Sequence, residues 1–144
     1  MTRQGTGKHG STADPVRAYL KSRGVSDDIV EGGLESVVER WDSISKTAKD
    51  YDFTLDDWLN DMDLRDIIHG AMTAATAADR ESVSSALKKA DERLKKATAK
   101  TGSIWGTAMQ GDLAPHPVKN WWYFRRPLNP GETMADDLEA AGLD

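Results

Sequence analysis

Cysteine is absent from the 144-residue chain, which excludes disulfide frameworks, thiol nucleophiles and Cys-ligated zinc or iron–sulfur sites. Aliphatic material is scarce as well. Leu, Ile, Val and Phe supply 25 of 144 residues, about 17%, below the roughly 20% that marks a disordered chain when net charge is also high. The second condition fails, because 19 basic and 24 acidic side chains leave a net charge of only −5. No apolar run approaches the roughly 20 residues of a membrane span, and the opening residues lack the apolar stretch of a secretory signal. The resulting expectation is a cytoplasmic chain with no membrane partner and no cofactor.

What is present compensates for the missing aliphatics. Five tryptophans and 17 alanines are core material, and the length suits one domain with one core. The residues fall into a tail at 1–13, expected to be disordered because it is Gly, Ser, Thr and basic residues. A single helical domain is expected over 14–130, followed by an acidic C-terminal tail over 131–144.

Helix signals are dense in the middle of the chain. Asp14-Pro15 begins a first helix, with Asp14 as cap and Pro15 at the first helical position, and Gly24 stops it. Ser26 is placed to cap a second, whose Val30, Leu34, Val37, Trp41, Ile44 and Ala48 recur at spacings of 4, 3, 4, 3 and 4, the seam of a helix packed on other helices. Gly32-Gly33 interrupts that seam and predicts either a kink or a close helix contact. Thr54 with Asp57, and Thr76 with Asp79, have capping-box spacing and open a third and a fourth helix. The fourth carries Val83, Leu87, Ala90, Leu94 and Ala97, ends in Lys95, Lys96 and Lys100, and stops at Gly102. The period then vanishes. A dense aromatic run, Trp121-Trp122-Tyr123-Phe124, follows, and Thr133 with Asp136 predicts one short last helix ending before Gly142. The fold class is therefore all-α: a compact four-helix bundle strapped by a mostly irregular aromatic C-terminal segment.

Three constellations are candidates for chemistry. Residues 50–66 hold seven aspartates against Arg65 alone. Asp66 and His69 are spaced i, i+3 on one helix face, as in helical metal centres, but the second carboxylate–histidine pair that such centres need is missing. No EF-hand loop fits. A cation-dependent hydrolase is thus the weakest reading, and a solvated face with an Asp61–Arg65 pair is the plainer one. Residues 88–100 carry a net charge of about +4, which suits phosphate contacts. A sequence pI near 5.2 argues against nucleic acid, and attraction between this basic helix and the acidic third helix explains the charge without a ligand.

The third constellation is Lys119 to Pro127. In an extended strand Trp121, Tyr123 and Arg125 face one way, and Trp122, Phe124 and Arg126 the other. Such a segment either straps the open end of the bundle, its arginines on carboxylates of the third helix, or presents an aromatic–arginine row outward. The outward reading yields the leading functional expectation, a non-enzymatic domain that binds another protein through Trp121, Trp122, Tyr123, Arg125 and Arg126 beside Asp61 and Arg65. The alternative is a single-strand nucleic-acid binder in which Trp121, Trp122 and Tyr123 stack bases while Lys119, Arg125 and Arg126 hold phosphates.

The stretch Asp56 to Asp66 (DDWLNDMDLRD), with Ile104-Trp105-Gly106 and Asn120 to Pro127 (NWWYFRRP), resembles a group of small bacterial helical proteins over roughly residues 15–130. The resemblance implies a bacterial, cytosolic helical protein. It brings no activity, substrate or catalytic residue with it.

Overall fold

The computed structural model describes residues 15–106 and 114–144. The expected tail at 1–13 and the Asp14 cap lie outside the described residues. Helix α1 covers 15–22. It is followed by α2 (Asp27–Thr47), α3 (Leu55–Ala74), α4 (Ala77–Lys96), strand β1 (Thr98–Lys100), a single 3-10 turn (Trp121–Phe124), strand β2 (Arg125–Pro127) and α5 (Glu132–Ala140). The all-α bundle holds, with two short strands added to it. They pair antiparallel, with Thr98 opposite Pro127, Ala99 opposite Arg126 and Lys100 opposite Arg125.

Local chemistry sets most of the boundaries. Gly24 adopts φ 78°, so its N–H turns back to the Lys21 carbonyl at 3.1 Å and ends α1. Thr54 and Asp57 exchange side chain-to-backbone bonds in a complete capping box. Thr76 accepts from the Asp79 N–H at 3.1 Å without the reciprocal bond. Ser26 sits at the start of α2, but its hydroxyl makes no cap bond there; Asp27 and Asp28 are left to offset the helix dipole.

Of the two outcomes open for Gly32-Gly33, the kink is realised. Gly33 has φ 69° and ψ −149°, a region essentially reserved for glycine. The break frees carbonyls that an unbroken helix would bond, and nearby donors take them. Ser36 Oγ donates to the carbonyls of Ile29 and Gly33, while the Arg17 guanidinium donates twice to the Glu31 carbonyl, at 3.0 and 2.9 Å. The kink is thereby also the point at which α1 is tied to α2.

The seams bury as their spacing requires except at Val30, before the kink, which is only partly buried. Leu34, Val37, Trp41 and Ile44 of α2, with Ala48 just beyond it, share the core with Val83, Leu87, Ala90 and Leu94 of α4. The last helix, in the segment read as an acidic tail, shares that core: Met134 and Leu138 are almost wholly enclosed and Leu143 is buried beyond it. Its Asp137 carboxylate also accepts the Leu55 N–H at 3.0 Å, placing a negative charge on the amino end of α3. Helices α3 and α5 are thus joined by charge as well as by packing.

Because Leu138 is fully packed, Leu138→Ala is expected to lower stability by about 2–5 kcal/mol. A urea midpoint unchanged by this substitution, measured by circular dichroism, would show that α5 is an appendage instead.

Candidate functional site

The 3-10 turn decides the fate of the aromatic run. In an extended strand its residues would alternate between faces; in a turn with three residues per revolution, neighbours diverge by about 120°. Trp122 and Tyr123 both enter the core, whereas Trp121 and Phe124 stay half-buried on its rim. The strap therefore completes the bundle. Trp122, only 1% exposed, lies in edge contact with Trp121 (ring centroids 5.7 Å apart) and near His69 (6.2 Å).

Arg65 stacks on the Trp122 ring. Its guanidinium carbon stands 4.8 Å from the Trp122 ring centre, and its Nε and Nη2 donate to the two carboxylate oxygens of Asp91 at 2.9 and 3.0 Å. Asp91 also accepts the indole N–H of Trp41 at 2.8 Å. One carboxylate on α4 thus gathers a tryptophan from α2 and an arginine from α3, and that arginine carries the strap. The side chains of Arg65 and Asp91 are only 11% and 17% exposed, so this pair is largely desolvated.

Three sequence expectations are corrected here. The Asp61–Arg65 pair does not form, because Arg65 turns inward to Asp91 while Asp61 accepts the Tyr51 hydroxyl at 2.7 Å. Attraction between an acidic α3 and a basic α4 does not hold them together either. Among the described residues their one ion pair is Arg65–Asp91, with the charges the other way round. Nor do the strap arginines rest on α3 carboxylates: it is the backbone carbonyl of Arg125 that meets α3, accepting the Trp58 indole N–H at 3.0 Å.

Asp63 accepts the Tyr123 hydroxyl at 2.5 Å and, with Asp66, lies 3.6 Å from Arg23. Asp66 is thus turned to Arg23 while His69 is exposed beside Trp122, and among the described residues no group of three His, Asp or Glu side chains is placed to hold a metal ion. Burial and the Asp63 carboxylate push the Tyr123 hydroxyl far above its ordinary range, and burial with Asp61 does the same to Tyr51. Both phenols stay neutral donors. Burial also raises the Asp61 carboxyl, against the opposing pull of the Tyr51 hydroxyl and Arg40.

Of the seven residues expected to meet a partner, Trp122, Tyr123, Asp61 and Arg65 are engaged inside the molecule. Trp121, Arg125 and Arg126 remain at the surface, and the structure joins the first two to cations from elsewhere in the chain. Lys95 lies over the Trp121 ring with its ammonium 4.6 Å from the centre. Lys100 stands directly opposite Arg125 on the strand pair, an arrangement that is unfavourable without an anion nearby. Burial pulls the Arg125 guanidinium below its ordinary value. Among the described residues no carboxylate lies within ion-pair distance of Lys95, Lys96, Lys100, Arg125 or Arg126; the pairs that do form use Arg23, Lys46, Arg65 and Arg93. Sequence reading placed Lys95 and Lys100 in a helical patch and Arg125 in a separate segment. The strand register brings Lys100 to Arg125, and the Trp121 ring brings Lys95 to the strap.

Comparison with known proteins finds no matching family model, no similar curated protein and no similar solved structure. No described helix is long and apolar enough to cross a membrane.

Removing one member of the buried pair strands the other. Asp91→Ala is expected to cost about 3–5 kcal/mol, and the double replacement Arg65→Met, Asp91→Leu clearly less; equal losses in urea titrations would refute the coupling. A pH effect follows from Asp61. The folded chain binds its proton more tightly than the unfolded chain does. The Asp61 contribution to stability is therefore full in acid and declines as pH rises from the ordinary aspartate value, about 4, through the raised one. Asp61→Asn, which keeps an acceptor for Tyr51, should gain stability over the parent across that window. Melting curves at matched pH check the sign.

Proposed function

We propose that this chain is a non-enzymatic interaction domain that binds an acidic protein surface. Its contact face is the basic edge formed by the end of α4, β1 and β2, with the half-buried Trp121 beside it. The observation that carries this reading is a set of cations with no counter-charge among the described residues, Lys95, Lys100, Arg125 and Arg126, of which Lys100 and Arg125 are paired across the strands and Lys95 lies over a ring. Aromatic and arginine side chains together are the usual composition of protein hot spots. The nucleic-acid alternative is weakened because two of its three stacking rings, Trp122 and Tyr123, are buried, and single-strand platforms need exposed faces.

The resemblance to small bacterial helical proteins fits this reading. Its two main stretches pack against one another, Trp58 on the Arg125 carbonyl and Asp63 on the Tyr123 hydroxyl, as a shared framework would. A cysteine-free chain is also in keeping with the bacterial cytoplasm, where we place the protein.

The test is a titration of a fluorescent polyglutamate peptide against a single-stranded oligonucleotide of equal charge, by anisotropy. The expected result is peptide binding that weakens with salt and falls at least tenfold, about 1.4 kcal/mol, in Arg125→Glu/Arg126→Glu with its helicity retained. Preferential binding of the oligonucleotide, or no binding of either, would overturn the proposal.

A further inference from the structure

Three large apolar side chains stand out as exposed among the described residues: Phe53 (62%), Val118 (76%) and Leu128 (42%). Phe53 lies in the loop between α2 and α3, and the other two flank the strap. Leu128 marks the junction of two surfaces. Its N–H donates to the Ala97 carbonyl at 3.1 Å, and the N–H of Asn129 donates to the Lys49 carbonyl at 2.8 Å. On one side of it are Lys100, Arg125 and Arg126 on the paired strands. On the other are Phe53 and the exposed Asp50, Asp52 and Asp56.

Beneath runs a row of rings. Phe53 meets Tyr51 edge-on at 5.4 Å, Tyr51 meets Trp58 at 4.8 Å, and the Trp58 indole reaches the Arg125 carbonyl. The acidic and basic surfaces are therefore two ring contacts apart, at one end of the bundle, with exposed apolar side chains between and beside them.

A strip of this kind is complementary to itself. Rotation by half a turn about an axis through its middle sets acid against base twice and apolar against apolar. We infer that the partner of the basic edge is a second copy of this chain, docked about a two-fold axis near Leu128. Asp50, Asp52 and Asp56 of each copy face Lys100 and Arg125 of the other, which share one face of the strand pair. This rests on the interaction reading above and names its partner. Exposed ion pairs each contribute little, so Phe53 and Leu128 carry the affinity while the charges fix the register.

The experiment is sedimentation velocity of the full chain over about 0.1–100 µM, at low and high salt. The expected result is a concentration-dependent dimer that salt weakens. Phe53→Ser/Leu128→Ser should weaken it at least tenfold without loss of helicity. Arg125→Glu/Arg126→Glu and Asp50→Lys/Asp56→Lys should each do likewise alone, and an equimolar mixture of these two should dimerise again. That restoration requires the crossed arrangement, and it needs no apolar substitution to fold well. A chain monomeric throughout, or a dimer indifferent to all these changes, overturns the inference. If the monomeric chain still binds the polyglutamate peptide, the basic edge remains an interaction face and only the second copy is excluded; if it binds none, both fall.

Discussion

Asp91 is the point on which the bundle converges. Its carboxylate is bonded to Trp41 of α2 and Arg65 of α3, and Arg65 in turn lies over Trp122 of the strap. Four segments distant in sequence thus meet around one desolvated charge pair. Such a pair adds little net stability over an apolar substitute, but leaving either member alone is costly. Its consequence is selectivity: only one arrangement of the helices satisfies both partners, and that arrangement sets the Arg65 guanidinium over the buried Trp122 ring.

A small aliphatic content forces this kind of core. Trp41, Trp58 and Trp122 are fully enclosed, and each brings a polar N–H inside with a large apolar area. Two of these donors are answered, by Asp91 and by the Arg125 carbonyl. The second answer has a consequence at the surface, because anchoring the Arg125 backbone to α3 fixes this residue opposite Lys100 on the strand pair. Packing inside and charge outside are linked by a single main-chain carbonyl.

Charge on this molecule is sorted by what each element must do. Aspartates cluster where they cap and receive donors: Asp57 on Thr54, Asp137 on Leu55, Asp61 and Asp63 on tyrosine hydroxyls. These four are occupied internally, and among the described residues no three acidic or histidine side chains are placed to hold a cation. The cations at the end of α4 serve its dipole, yet they gain Arg125 and Arg126 as neighbours through the strand pair. Excess positive charge is the residue of that assembly, and it gives the surface its character.

How much of this was legible depends on the range of the interaction concerned. Helix seams at spacings of 3 and 4, the Thr54–Asp57 capping box, and Gly24 as a stop are local, set by backbone geometry within a turn or two, and residues alone determined them. The aromatic strap as a core element was also foreseeable, because a chain so poor in aliphatics has few other ways to bury area. Register was not. Whether Trp121 to Phe124 would alternate or coil, whether Arg65 would take Asp61 or Asp91, and whether Lys100 would meet Arg125 each turned on partners 25 or more residues apart in two of these cases. Local preferences there are nearly equal, so the choice falls to desolvation and to the competition for a few buried acceptors, and only the assembled bundle decides it.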